Sequence, residues 1–400
     1  MGGMTEQPST TSRNVVPFPP APDAVELRHL RAFVAVAEEL SFSRAAERLF
    51  LSQPALSRAI RGLEQLVGCD LLRRSTHRVE LTLAGEAMLD RARPLLSDVD
   101  AAVASARSVG GELLGRAIRL WEPVIGSGGS DLDAMRDSYE ALHAKFAPPP
   151  QTRVRAVTAG GVPSLVVAPD GVESVSAVLL HGGAYTLGSA FGYRALAGAI
   201  AVAAETAVLV PDFRLAPEHP FPAAVDDGLR SYLWMLDGGT PADQIVLCGD
   251  SAGAGLVMSV LHEVRRQGLP IPAGAVLLCP GLDPAAMLAG NYGTRGDIVQ
   301  RCVGYYLAGH PVDDPVINPF VADLSGLPPL LIQAATGDPA IVDAQRLADR
   351  AREHGVDVRL ELYPVDTHIF QLFWPFLPEA GEAIAEVGQF ARHIRSPGPR

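Results

Sequence analysis

Lysine is nearly missing from this 400-residue chain: Lys145 is the single one among 33 basic residues. Cysteine is scarce too. The four present, Cys69, Cys248, Cys279 and Cys302, show neither close pairing nor metal-ligand spacing, which argues against a disulfide scaffold or a zinc site and for buried, reduced thiols. No run of 18 apolar residues occurs, and the N-terminus (MGGMTEQPST) has no basic region followed by an apolar stretch. A soluble, unsecreted, cytoplasmic protein without a membrane partner is the expectation. Positive charge is also in deficit, with a net charge of −12. The deficit is uneven. Residues 26–110 hold twelve Arg against eleven acidic residues, leaving −13 for everything else. An acidic bulk excludes a chain coated in nucleic acid, so any DNA contact must come from a local arginine patch.

The length predicts two or three domains. Residues 1–25, rich in Pro, Ser and Thr without an apolar period, read as a disordered leader. Leu27, Leu30, Phe33, Val34 and Ala37 then give a helical stripe, a short helix follows Ser43, and a third begins at Ser52 with Pro54 in its first turn. A helix-turn-helix is expected. LLRRSTHRVEL alternates around a polar turn, a hairpin signal, and Thr82 can cap a long helix running to about Ala106. Its stripe of Met88, Ala92, Leu95, Leu96, Val99, Val103 and Ala106 needs burial, and with no other partner in the head a second copy of the helix is expected to supply it. Pro94 should kink this helix, while Gly110-Gly111 and Gly126 to Gly129 should loosen the chain. The boundaries implied are 26–83 for a winged helix-turn-helix, 84–112 for a linker and dimerisation helix, 113–150 for a linker and cap, and 151–400 for the body.

In the body, SAVLLH, AVLVPDF, QIVLCGD, GAVLLCP, PLLIQAA and VRLELYP are strand-like runs separated by helical stretches. Several are apolar at consecutive positions. That pattern predicts an α/β fold with a mostly parallel sheet covered on both faces. One strand ends in Gly249-Asp250-Ser251-Ala252-Gly253 and opens a helix. Side chains two residues before and after such a serine would meet neighbouring backbone, and glycine removes the collision. The amide of Ala252 lies at the helix start, where it can face an oxygen turning negative.

Upstream, another strand runs into His181-Gly182-Gly183-Ala184-Tyr185, whose bare backbone could aim amides at the same oxygen. Downstream, Asp338 follows PLLIQAATG and His368 follows VRLELYPVDT. Asp366 and Asp343 compete with Asp338 as the acid. Asp366 is too close to His368 in sequence to reach its far nitrogen easily, and Asp343 falls inside the following helix. His181 reads as structural, holding its loop.

These residues, with Arg214 to Ala224 reading RLAPEHPFPAA, resemble the hormone-sensitive-lipase-like branch of the α/β-hydrolases over about residues 131–395. The resemblance implies Ser251 as nucleophile, His368 as base and then acid, Asp338 as its orienting group, and the amides of Gly183, Ala184 and Ala252 as oxyanion donors. Ala184 departs from the family's third glycine, which puts acyl size in question. Phe213 replaces a usual tyrosine. Segment 131–146 occupies the place of the family's cap, and Trp121, Met135 and Tyr139 either wall the acyl site or pack in the core.

In the head, Leu56, Ile60, Leu63 and Val67 fall on one helical face, and Gln53, Ser57 and Arg61 on another. The polar face suits base-edge readout in a major groove, although a merely solvated face would look alike. Arg73, Arg74 and Arg78 flank the hairpin turn, placed for phosphate or minor-groove contact. Residues 27–89 resemble the winged head of LysR-type transcriptional regulators. That resemblance implies double-stranded operator DNA, readout by Gln53, Pro54 and Ser57, Arg58 and Arg61 near the backbone, and a homodimer through the linker helix. The family's effector domain is replaced by the esterase-like body. The combined expectation is a serine carboxylesterase or lactone hydrolase acting on short acyl esters through an acyl-enzyme, without a cofactor or metal, fused to a DNA-binding head. The alternative is a regulator whose hydrolase-like domain serves only as a ligand sensor.

Overall fold

A computed structural model describes residues 25–49, 51–74, 79–127, 131–293 and 296–395, the side chains of 74, 97, 98 and 100–110 excepted. The expected leader, Val25 apart, and Arg78 lie outside the described residues, as does the side chain of Arg74. Two compact units divide at Val109/Gly110.

The first unit opens with α1 (Leu27–Glu39), α2 (Phe42–Arg48) and α3 (Gln53–Val67). Ser41 and Ser52 cap α2 and α3 by accepting amides three residues on. Phe33, Leu56, Ile60 and Leu63 are fully buried between the helices, whereas Leu27 and Val67, at helix ends, are exposed. The hairpin pairs β1 (Leu72–Arg74) with β2 (Val79–Leu81), antiparallel. Thr82 then caps α4 (Leu83–Gly126) by accepting the Gly85 amide at 3.0 Å.

Helix α4 corrects three expectations. It continues through Gly110-Gly111, expected to loosen the chain, and reaches Gly126. Ala92 and Leu96 pack into the head's own core together with Leu89, so the stripe has a partner in the head after all. Arg93 adds a 3.0 Å bond to Glu38 of α1. Leu95 remains exposed and Val99 partly so. The last turns, with Ala117, Trp121 and Val124 buried, belong to the second unit and join the core there, where a loose linker was expected.

That unit continues with α5 (Leu132–His143), capped by Asp131, and an eight-stranded sheet. In chain order come β3 (Thr152–Ala159), β4 (Val162–Pro169), β5 (Val175–Leu180), α6 (Arg194–Ala204), β6 (Ala207–Pro211), α7 (Ala223–Asp237), β7 (Val246–Asp250), α8 (Ala252–Arg266) and β8 (Gly274–Leu278). Next are α9 (Pro284–Leu288), α10 (Gly296–Leu307), β9 (Leu330–Ala335), α11 (Ile341–Glu353), β10 (Val358–Tyr363) and α12 (Pro378–Arg395). Spatial order is β10-β9-β8-β7-β5-β6-β4-β3. All pairings from β6 through β10 are parallel, and β4 pairs antiparallel with both β3 and β6.

The six expected strands are all present. The β3–β4 hairpin was not among them, although its turn is a Gly160-Gly161 pair with positive φ at both residues. Strand side chains alternate between two cores: Val178 and Leu180 of β5 enter one, Ala177 and Leu179 the other. Both faces are thus dry, which is why these strands read as continuous apolar runs. Loops at the carboxyl ends of β5, β7, β9 and β10 meet at one rim, where a ligand site is expected in such sheets.

Candidate active site

Ser251 stands between β7 and α8 with φ 51° and ψ −120°, a strained conformation. The surroundings enforce it. Its amide donates to the Leu278 carbonyl at 2.9 Å, and its own carbonyl accepts from Gly281 at 3.2 Å. A Cβ on Gly249 would strike the Gly253 carbonyl, and one on Gly253 would strike the Leu180 carbonyl. The two flanking glycines are therefore steric requirements, as the spacing predicts.

His368 reaches the serine across 117 positions, with Nε2 at 2.8 Å from Oγ. Its Nδ1 bonds directly to Asp338 Oδ2, and Asp338 Oδ1 accepts the Ala340 amide at 3.2 Å. The Asp338 side chain is 2 % exposed and that of His368 13 %. Gly337 lets the two loops touch, because a side chain there would run into Asp366. Asp366 is exposed, and the structure engages Asp343 elsewhere: it accepts the Leu282 and Asp283 amides at 2.7 and 3.1 Å and the Tyr292 hydroxyl. Burial raises the Asp343 carboxyl above its ordinary pKa.

Gly183, Ala184 and Ala252 share a cavity wall with Ser251 and His368. None of their three amides donates to a protein acceptor among the described residues. Gly183 has φ 109°, and Ala184 and Tyr185 hold φ 50° and 65°, left-handed values that cost a side-chain-bearing residue energy. Tyr185 is anchored by stacking on Tyr306 at 3.9 Å. His181 is buried, stacks on Phe213 at 4.2 Å, and lies 2.8 Å from the Gly182 carbonyl through Nδ1. Burial pushes its pKa down to about 4, and its place is structural, as expected.

The cavity holds about 90 Å³ and is walled mainly by apolar groups. Trp121, Val124 and Ile125 of α4 and Tyr139 of α5 form one side; Ile298, Val299 and Val303 of α10 form another. Met135 is 1 % exposed and packs in the core, resolving the alternatives left for it. The α10 wall had no sequence signal, since its apolar positions are those of any amphipathic helix. Helix α5 is clamped to the rim by Arg136, which donates to the Thr186 and Ala216 carbonyls and twice to Glu218 of the RLAPEHPFPAA stretch, at 2.7 Å each. That pairing holds the Glu218 carboxyl well below its ordinary range.

Among the described residues one group has metal-ligand proximity: Cys279, Asp338 and His368, with ligand atoms within 4.8 Å of one another. It does not suit a metal. Burial pushes the Cys279 thiol up to about 12, and the other two members are already bonded to each other.

In the head, Gln53, Pro54, Arg58 and Arg61 are exposed along α3 and Ser57 partly so, while Leu56, Ile60 and Leu63 face inward. Arg61 bonds to the Ser57 carbonyl and hydroxyl at 3.3 and 3.4 Å. Arg73 is exposed on β1.

Residues 177–372 match the family model of the α/β hydrolase fold, and residues 27–86 that of the lysR family of bacterial regulatory helix-turn-helix proteins. An acetyl-hydrolase of Streptomyces hygroscopicus is 37% identical over 249 residues, 60% of this chain and 83% of the relative. An esterase of Acinetobacter venetianus is 30% identical over 270 residues, 66% of this chain and 89% of the relative. A crystal structure of an esterase from the bacterial hormone-sensitive lipase family superposes with TM-score 0.65 at 34% identity, covering 72% of this chain and 99% of that one. The chain therefore belongs to the α/β-hydrolase family, in its bacterial hormone-sensitive-lipase-like branch, and carries a lysR-family helix-turn-helix at its N-terminal end.

Proposed function

We propose that the Gly110–Arg400 unit hydrolyses short-chain carboxylic esters or small lactones through an acyl-enzyme on Ser251. The observation that carries this is the unbroken line from Ser251 Oγ through His368 to Asp338, facing a cavity lined by uncommitted amides. His368 Nε2 takes the hydroxyl proton as Oγ attacks the ester carbonyl. The amides of Gly183, Ala184 and Ala252 receive the oxyanion, and Asp338 steadies the imidazolium. His368 then protonates the departing alkoxide, and water repeats the sequence to free the acid. The small apolar volume favours a short acyl group: about 90 Å³ is less than the roughly 150 Å³ apolar cavity that accommodates one benzene.

Ser251→Ala is the test. Turnover of p-nitrophenyl acetate should fall by several orders of magnitude, and a phosphonate should label wild type at Ser251 alone. Retained turnover would mean another nucleophile.

For the head, the reading is double-stranded DNA binding with Gln53, Pro54, Ser57, Arg58 and Arg61 toward the groove and backbone, and Arg73, Arg74 and Arg78 on the wing. Exposed Leu95 supports a homodimer through α4. Sedimentation of the full chain tests it, and a monomer at micromolar concentration refutes it. One observation favours a ligand-sensing role beside turnover: α4 begins directly after β2 and ends with Trp121, Val124 and Ile125 in the cavity wall. If sensing operates, phosphonate on Ser251 changes affinity for a selected double-stranded DNA pool at fixed salt, and an unchanged affinity removes this reading.

A further inference from the structure

Several buried groups that the ester chemistry leaves unused lie together beneath the oxyanion loop. Asp250, next to the nucleophile, is fully buried. Its Oδ1 accepts the Gly182 amide at 2.9 Å, and its Oδ2 accepts the Tyr193 hydroxyl at 2.8 Å. Tyr193 Oη is 2.7 Å from Tyr139 Oη on α5. Because Tyr193 donates to the carboxylate, Tyr139 is the donor between the two phenols. Gly182 has no room for a side chain, since a Cβ there would collide with Asp250 Oδ2. The carboxylate therefore explains this glycine. At the loop's other end, Arg136 of α5 donates to the Thr186 carbonyl at 3.0 Å. Gly183 and Ala184 thus lie between two anchors, and both anchors lead to α5.

We propose that Tyr139, Tyr193 and Asp250 are positioning residues that set the Gly183 and Ala184 amides against Ser251, so that helix α5 tunes transition-state stabilisation from the cavity wall. The proposal rests on the reading of Ser251 as nucleophile. Its physical case has three parts. Oxyanion donors act only within a narrow distance of the developing charge, and a shift of about 1 Å can cost on the order of 100-fold in rate. A loop with left-handed, side-chain-bearing residues at 184 and 185 relaxes unless its surroundings hold it. A carboxylate has two oxygens, and here one holds the loop while the other holds the route to α5. Burial pushes the Asp250 pKa up to about 7, while the bonds donated by Tyr193 and Gly182 act the other way and favour its ionised form. Tyr139 also lines the acyl cavity, which puts one side chain in contact with both the substrate space and the loop anchor.

The experiment compares Tyr193→Phe, Asp250→Asn and Tyr139→Phe with wild type in the full chain, using p-nitrophenyl acetate and a methyl trifluoromethyl ketone as tetrahedral analogue. Tyr193→Phe and Asp250→Asn should lower kcat by about 10-fold or more with KM within about 3-fold, and ketone affinity should fall in proportion to kcat/KM. Tyr139→Phe, one bond further away, should show a smaller fall of the same kind. A purely structural role would lower thermal stability while leaving kcat and ketone affinity together at wild-type levels, and that result overturns the proposal. If Asp250→Asn and Tyr193→Phe yield no folded protein, Tyr139→Phe decides by the same two readouts. Ser251→Ala is run alongside. Activity retained there defeats the nucleophile reading, whereas an inactive Ser251→Ala beside an unaffected Tyr193→Phe defeats the relay alone.

Discussion

His143 gives a pH dependence of stability whose size follows from its surroundings. The ring is 1 % exposed, lies 4.7 Å from the Tyr139 ring and 4.3 Å from the Tyr193 ring, and neither nitrogen has a hydrogen-bond partner among the described residues. Burial pushes its pKa down to about 3. The unfolded chain, with an ordinary histidine near 6.5, therefore takes up a proton that the folded protein refuses. His143's contribution is fully present above about pH 6.5 and drains away as pH falls toward 3. At pH 5 the unfolded ring lies about 1.5 units below its pKa and the folded ring is still neutral, so the loss is about 2 kcal/mol.

His143→Leu removes that proton. At pH 8 its sign is contested, because losing two unpartnered polar atoms gains about 1 to 3 kcal/mol each, whereas losing ring packing forfeits roughly 0.5 to 1.5 per ring pair together with the ring's buried area. The difference between pH 8 and pH 5 is not contested. Urea unfolding followed by tryptophan fluorescence reads the hydrolase unit alone, since Trp121, Trp234 and Trp374 all lie within it. Wild type should lose about 2 kcal/mol more than the variant over that range. His181 and Asp250 titrate in both proteins and drop out of the comparison to first order. Equal losses in the two proteins would refute a neutral, unpartnered His143.

Asp338→Asn should leave the fold intact and lower kcat by about 10⁴-fold, because the amide offers a donor where His368 Nδ1–H needs an acceptor; activity within tenfold of wild type would restore Asp343 or Asp366 as candidates. Ala184→Gly relieves φ 50° and withdraws a methyl from the cavity wall, so the butyrate-to-acetate ratio of kcat/KM should rise about fourfold, one methylene's worth of burial. An unchanged ratio would mean that this methyl does not limit acyl length. In the head, Arg61→Ala should relax sequence preference at one base position at a cost of about 1 to 3 kcal/mol, whereas Arg73→Ala should weaken all sequences alike and lower the salt slope by about 1. Binding curves over a range of salt separate the two, and a uniform loss for both would demote Arg61 to a phosphate contact.

The sequence alone determined whatever depends on short-range sterics and period. Gly249 and Gly253 reveal the elbow because the collisions they avoid are local consequences of a strand turning sharply into a helix, and consecutive apolar residues in β5 to β9 reveal a sheet dry on both faces. The order of Ser251, Asp338 and His368 was legible through the resemblance to the α/β-hydrolases, in which an acid and then a histidine follow the serine, each on a loop after a strand. Only the tertiary structure decided among the acids, because Asp343 is chemically as able as Asp338 and differs only in meeting the Leu282 and Asp283 amides before it could meet an imidazole. It also decided that the stripe on α4 docks partly on its own head, that the same helix lines the cavity beside Ser251 at Trp121, 25 residues after Leu96, and that Asp250 accepts the Gly182 amide. Those facts join residues from elements far apart in the chain, and amphipathic periodicity says only that a face is buried, never against what.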